Sequence, residues 1–172
     1  MRSIASLLTL CLILTALGGH APAAAAPPDG TLAIGVHVTL VSRWLDPGET
    51  EALITPFMVL YVLHDALVKP MPGNIMTPSL AESWTLAKDG VTYEFVIRKN
   101  AKFHNGDPVT AEDVKFTFER YKGSGAKLLK ERVKAIQVVA PNRVPFVPKE
   151  PWPDFMAFYG TSATGAAWIV PK

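Results

Sequence analysis

The sequence predicts a mixed α/β fold, and three observations carry that expectation. Residues Thr31 to Val38 alternate, with Leu32, Ile34, Val36 and Val38 on one side of an extended chain and Ala33, Gly35 and His37 on the other. Asp89-Gly90 sits between two further strand-like runs, Trp84 to Ala87 and Val91 to Arg98, which is a hairpin signal with Tyr93, Phe95 and Ile97 on its buried face. Thr110 and Asp113 then form the Asp variant of a capping box, opening a helix over Ala111 to Lys122.

The elements follow in chain order. Met1 and Arg2 give a short positive start, Ile4 to Leu17 form an apolar run, and Gly18 to Ala26 is small and flexible. This is the layout of a secretory signal peptide over 1–25, cut after Ala25 with Ala23 at the third position before the cut; the alternative cut after Ala26 would leave Pro27 first. The apolar run is too short for a permanent span, which needs about 20 residues. The single cysteine, Cys11, lies inside it and follows Leu10, which is not the small residue a lipoprotein signal requires. Residues 26–172 are thus expected to carry no thiol, which removes disulfides, thiolate catalysis and cysteine-based zinc together.

After the first strand comes a loop through Arg43, Trp44, Leu45, Asp46, Pro47 and Gly48. Thr55 and Pro56 then suit a helix start, and Phe57 to Leu67 reads as a helix apolar nearly all round, expected to lie buried between layers. Pro70, Pro72, Gly73 and Pro78 mark Lys69 to Pro78 as a surface connection. Asn105, Gly106 and Asp107 supply a turn before the capped helix, whose Val114, Phe118 and Tyr121 share one face and whose end Gly123 is placed to mark. Lys127 to Arg132 is helical in propensity, and Ile136 to Val139 reads as a strand. Val144 to Val147 should pair back on it, either at a sheet edge or poorly formed, because Pro145 lacks a ladder donor. Asp154 to Tyr159 forms a short helix after three prolines.

Composition sets limits on function. The 172 residues are 49% hydrophobic and 19% charged, enough apolar side chain to exclude a disordered chain. A formal charge of +2, without a basic stripe, excludes nucleic acid as the expected partner. His104, Asp107, Glu112 and Asp113 fall within ten residues, but a Pro-containing turn separates the histidine from carboxylates that already serve a helix start, so no metal site is assigned. Ser79, Glu82, Ser83 and His64 lack the Gly-x-Ser-x-Gly elbow of a nucleophile. The glycines at 160 and 165 lack the Gly-Lys-Ser/Thr of a phosphate loop. No catalytic residue, metal or cofactor is assigned. Trp84 and Trp168 read as core, whereas Trp44 and Trp152, in Pro-containing loops, are open between core and cleft.

Three runs then carry a resemblance. Pro78-Ser79-Leu80-Ala81-Glu82-Ser83-Trp84, Asp89-Gly90-Val91-Thr92-Tyr93-Glu94-Phe95, and Phe103-His104-Asn105-Gly106-Asp107-Pro108-Val109-Thr110-Ala111-Glu112-Asp113-Val114 occur in this order. Together they resemble the family 5 extracellular solute-binding proteins, the dipeptide, oligopeptide and nickel receptors of bacterial ABC importers. The resemblance implies a type II periplasmic-binding-protein-like clamshell, of which 26–172 supply the first lobe and its subdomain, with the second lobe absent. It departs from the family at Val144 to Pro148, where an uninterrupted strand is expected. It implies a periplasmic protein that is not an enzyme, monomeric if complete, with a small peptide or similar solute and an inner-membrane ABC permease as partners. By the same analogy Arg43, Trp44 and Leu45 contribute to the ligand cleft, with Tyr159, Gly160 and Thr161 beside them. The alternative is a self-contained secreted protein-interaction domain that reuses the first-lobe fold.

Overall fold

The computed structural model describes residues 29–35, 45–50 and 55–172. The signal-peptide segment 1–25, including Cys11, lies outside the described residues, as do 36–38 of the first expected strand and the cleft candidates Arg43 and Trp44. Residues 29–35 belong to a unit that ends at Val36, and the remainder forms a second unit from His37. In the first unit, 31–35 carry no strand, and Leu32 and Ile34 are exposed. Alternation fixes a face, but a strand also needs a neighbour to pair with, and these residues have none among the described ones.

In the second unit, a four-stranded antiparallel sheet is built around the Asp89-Gly90 hairpin. Its strands are β3 (Ala81–Leu86), β4 (Tyr93–Ile97), β5 (Val133–Ile136) and β6 (Arg143–Pro148), in the order β3-β4-β6-β5. The Asp89 carboxylate accepts from the backbone N–H groups of Val91 and Thr92, both at 2.9 Å, and Gly90 takes φ +70°, which makes this turn inexpensive for the residues that form it. Tyr93, Phe95 and Ile97 point to one face, as their period requires, and Phe146 lies across from Tyr93 on that face.

That face is covered by two helices, α2 (Ala111–Arg120) and α4 (Phe155–Tyr159), while α3 (Ala126–Arg132) leads into β5. The core is aromatic. Phe146 meets Phe95 edge-on at 5.4 Å and Phe118 at 5.7 Å, and its ring lies 4.8 Å from that of Tyr159, which stacks on Phe155 at 5.2 Å. Trp152 and Trp168 are both buried, while Trp84 is half-buried.

The capping box forms as the sequence specifies: Thr110 donates to Asp113 Oδ2 through its backbone N–H at 2.8 Å and its hydroxyl at 2.6 Å. Val114, Phe118 and Tyr121 are buried together. The helix stops at Arg120, three residues before Gly123, whose role is a different one. A Cβ there would run into the Tyr121 ring, so glycine is needed for close approach rather than for ending the helix.

The first apolar helix, α1, opens as a π-helical turn at Pro56–Leu60 and continues as Tyr61–Leu63, ending four residues early. His64 is extended because the chain turns to pair Ala66 with Trp168, a tertiary contact that overrides helical propensity. Nor is α1 buried between layers: Leu60 is fully buried, but Phe57, Val62 and Leu63 are exposed. Lys69 to Pro78 is a hairpin rather than a plain connection, with β1 (Val68–Met71) and β2 (Asn74–Pro78) joined through Gly73 at φ +82°. Its prolines are accommodated because Pro70 falls in a register shift and Pro78 ends its strand. The strand expected at Ile136 to Val139 lies earlier, at Val133–Ile136, because it continues directly from α3.

Pro145 lies in β6, which is interior and paired on both sides rather than at an edge or poorly formed. Its carbonyl accepts from Gln137, the residue just past β5. Since N–H and C=O of one residue project to the same side of an antiparallel strand, the donor that Pro145 lacks faces beyond the end of β5. Pro148 pairs with Val133 at the first position of β5 and lies past Phe146, which pairs with the first residue of β4. Both prolines therefore sit where a ladder bond is dispensable.

Candidate functional site

An open cleft in the second unit is built by α2, the Leu45–Thr50 loop, the end of α1 and the segment that follows Trp168. Phe116 and Arg120 lie four residues apart on α2, hence on one face, turned away from the buried Val114 and Phe118. Arg120 takes the Asp46 carboxylate in a two-pronged ion pair, Nη1 to Oδ1 at 2.8 Å and Nη2 to Oδ2 at 2.6 Å. Asp46 Oδ1 also accepts from the Gly48 N–H at 2.8 Å, and the Gly48 carbonyl accepts from Lys122 N–H at 2.8 Å. A Cβ at Gly48 would come within 2.9 Å of the Arg120 guanidinium, so a side chain here would push against the ion pair. The loop is thus tied to the end of α2 by three hydrogen bonds.

The opposite wall is fixed with equal economy. The Thr117 hydroxyl accepts from Val170 N–H at 3.1 Å and lies 3.3 Å from the Val170 carbonyl. Lys172 N–H donates to Asp113 Oδ1 at 3.0 Å. These bonds lay 170–172 along α2 and place Val170 and Pro171 beside Phe116. His64 closes the cleft, its Nε2 at 2.6 Å from the Leu45 carbonyl, so that Nε2 carries the proton and donates. Leu45, Phe116, Val170 and Pro171 are the apolar lining, with Asp46, His64 and Arg120 the polar part.

The Arg120 guanidinium holds the Asp46 carboxyl below its usual range, against a smaller opposing effect of burial and with help from the Gly48 N–H. These two charges satisfy each other, so what the cleft presents is mainly the apolar surface of Leu45, Phe116, Val170 and Pro171.

Of the six expected cleft residues, Leu45 is exposed and lines this cleft. Tyr159, Gly160 and Thr161 are elsewhere. Tyr159 is 1% exposed with its ring in the aromatic core, Gly160 is buried against the Met156 carbonyl, and Thr161 is half-buried in the following turn. The Tyr159 hydroxyl is buried without a hydrogen-bond partner, and burial pushes its acidity far down. The structure therefore does not bring Leu45 together with Tyr159 to Thr161. Sequence reasoning did not single out Phe116 or Arg120; the i, i+4 spacing of an aromatic and an arginine on the polar side of a well-marked helix was the available signal. His64 is bound to Leu45, away from Ser79, whose carbonyl accepts from Arg98 at 2.6 Å. Asp107 is engaged by Asn105 and Glu112 by Lys172.

The fold class is that of the periplasmic solute-binding proteins. Oligopeptide-binding OppA of Haemophilus influenzae, solved with the peptide RPPGFSPFR, superposes with a TM-score of 0.62 and 25% identity over 74% of this chain and 28% of its own. AgaA of Agrobacterium tumefaciens, solved with agropinic acid, gives 0.59 and 26% over 73% of this chain and 27% of its own. Residues 76–169 match the bacterial extracellular solute-binding proteins, family 5, and the chain belongs to that family. Di/tripeptide-binding protein 2 of Pseudomonas aeruginosa is 29% identical over 174 residues, covering 88% of this chain and 32% of the relative. Dipeptide-binding protein DppE of Bacillus subtilis is 54% identical over 43 residues, 25% of this chain and 8% of its own. The chain thus spans about a third of the first relative's length.

Proposed function

We propose that residues 26–172 act as the N-terminal lobe portion of a periplasmic solute-binding component of an ABC importer, exported by the segment 1–25, with short peptides as the favoured solute and an inner-membrane permease as partner. The observation that carries this reading is the family match over 76–169, joined to relatives named for dipeptides, tripeptides and oligopeptides. The cleft beside Phe116 supports it, since an apolar wall suits the side chains of a short peptide. One wall encloses a solute only partly, so affinity for a peptide on this chain is weak.

The test is an NMR titration of the full chain with Ala-Phe and Ala-Phe-Ala. Saturable shifts at Leu45, Phe116 and Val170 in the millimolar range are expected; no shift at these positions, or equal shifts with glucose, overturns the peptide assignment. Mass spectrometry of the periplasmic fraction should give a mature chain starting at Ala26. The exposed apolar residues of α1 favour a second reading, a self-contained interaction domain, for which light scattering of the purified chain would show a defined dimer in place of a monomer.

A further inference from the structure

We propose that a second cavity, opening beside the peptide cleft, binds a small amphiphilic carboxylate. It encloses about 350 Å³ between the end of α1, the 102–105 segment and Ile169, and it shares His64, Val170 and Pro171 with the cleft. That volume lies at the lower end of ligand pockets and suits one ring or a short aliphatic body. The floor is apolar, formed by Leu80, Phe103, Val109 and Ile169.

The mouth gives the sign of the ligand. Asp65, the one acidic lining residue, is already paired with Lys69 at 3.0 Å. Lys102 and His104 also line the cavity, and their side chains have neither hydrogen bond nor ion pair among the described residues. The uncompensated donors at this mouth are therefore cationic or neutral, beside an apolar floor. One ammonium and one imidazole suit the single charge of a carboxylate, whereas a phosphate dianion calls for more donors.

The backbone that carries these donors is ordered beforehand. Lys102 bridges to Pro108, Phe103 N–H donates to the Asp107 carbonyl at 2.9 Å, and Gly106 N–H returns to Phe103 at 2.9 Å. The backbone on either side of Lys102 and His104 is thus ordered before a ligand arrives, and less entropy is lost on binding.

The experiment is an NMR titration of the full chain with 3-phenylpropionate, its neutral amide, and the K102Q variant. The acid should shift Val109 and Ile169 saturably, and both the amide and K102Q should weaken binding roughly tenfold, the worth of a charge-assisted hydrogen bond. H104Q, a second exposed substitution, should weaken it less. The proposal is overturned if the amide binds within about twofold of the acid, if K102Q changes nothing, or if the probe shifts Leu45 and Phe116 instead. K102Q should leave the Ala-Phe response at Phe116 intact, so failure at this cavity and failure of the peptide reading are separately visible.

Discussion

Replacing Arg120 by alanine would remove the clamp on the Leu45–Thr50 loop. The pair is partly wet, with 28% of the Arg120 and 39% of the Asp46 side-chain surface exposed, which argues for the surface range of about 0.2–1 kcal/mol. Its forked geometry argues for more, since hydrogen bonds to charged groups are worth about 1.5–3 kcal/mol before screening. Arg120 also covers the Phe116 ring at 5.7 Å. Together these give a loss of about 1–2 kcal/mol for R120A. A double-mutant cycle with D46N isolates the pair from the ring contact and should return a coupling of about 1 kcal/mol. R120K should recover part of it, because lysine keeps the charge but not the fork. The assay is urea unfolding of the full chain followed by tryptophan fluorescence. Because the folded-state carboxyl lies below its ordinary value of 3.8, the contribution is fully present above that value and disappears as pH falls through the lowered one. A coupling under about 0.3 kcal/mol at neutral pH, or one that survives full protonation of Asp46, would refute the clamp.

Three further outcomes are expected. T110A should cost about 1 kcal/mol in urea unfolding, as an N-cap does, and should raise hydrogen exchange in the first turn of α2. F146A should cost about 3–5 kcal/mol, because this ring touches Phe95, Phe118, Phe155 and Tyr159 at once; a loss below about 1.5 kcal/mol would mean that the aromatic cluster is not the centre of the core. Y159F should leave stability unchanged or raise it by up to about 1 kcal/mol, since it removes a buried hydroxyl with no partner, and a clear loss in thermal melting would point to a bond to that oxygen.

What could be read from the chain and what could not divides along sequence distance. The capping box, the Asp89-Gly90 turn and the alternation of Tyr93, Phe95 and Ile97 are decided by residues within a few positions, and all three appear as expected. The end of α1 is decided by Trp168, a residue about a hundred positions away, so no local pattern could place it. Pro145 looked like an edge residue because a missing donor is local, whereas where that donor would have pointed depends on the length of β5. The cleft behaves in the same way. Leu45 was reached by resemblance, but its position relies on an ion pair between residues 74 apart in sequence. Tyr159 had the residue type of a cleft aromatic, and burial in the core is settled by Phe146 and Phe155 rather than by its own neighbours.

The contact between Ala66 and Trp168 has one more consequence. Leu67 N–H donates to the Ala167 carbonyl and Ile169 N–H to that of Asp65, so the chain leaves and re-enters at a single doorway. Everything from Val68 to Ala167 is a closed excursion whose two ends lie side by side. Such a piece can be spliced into a surface loop of an unrelated host without stretching either end. It can also be opened at the exposed Gly73 or Gly90 turn and rejoined at the doorway by a short linker, giving a permuted chain with the same sheet.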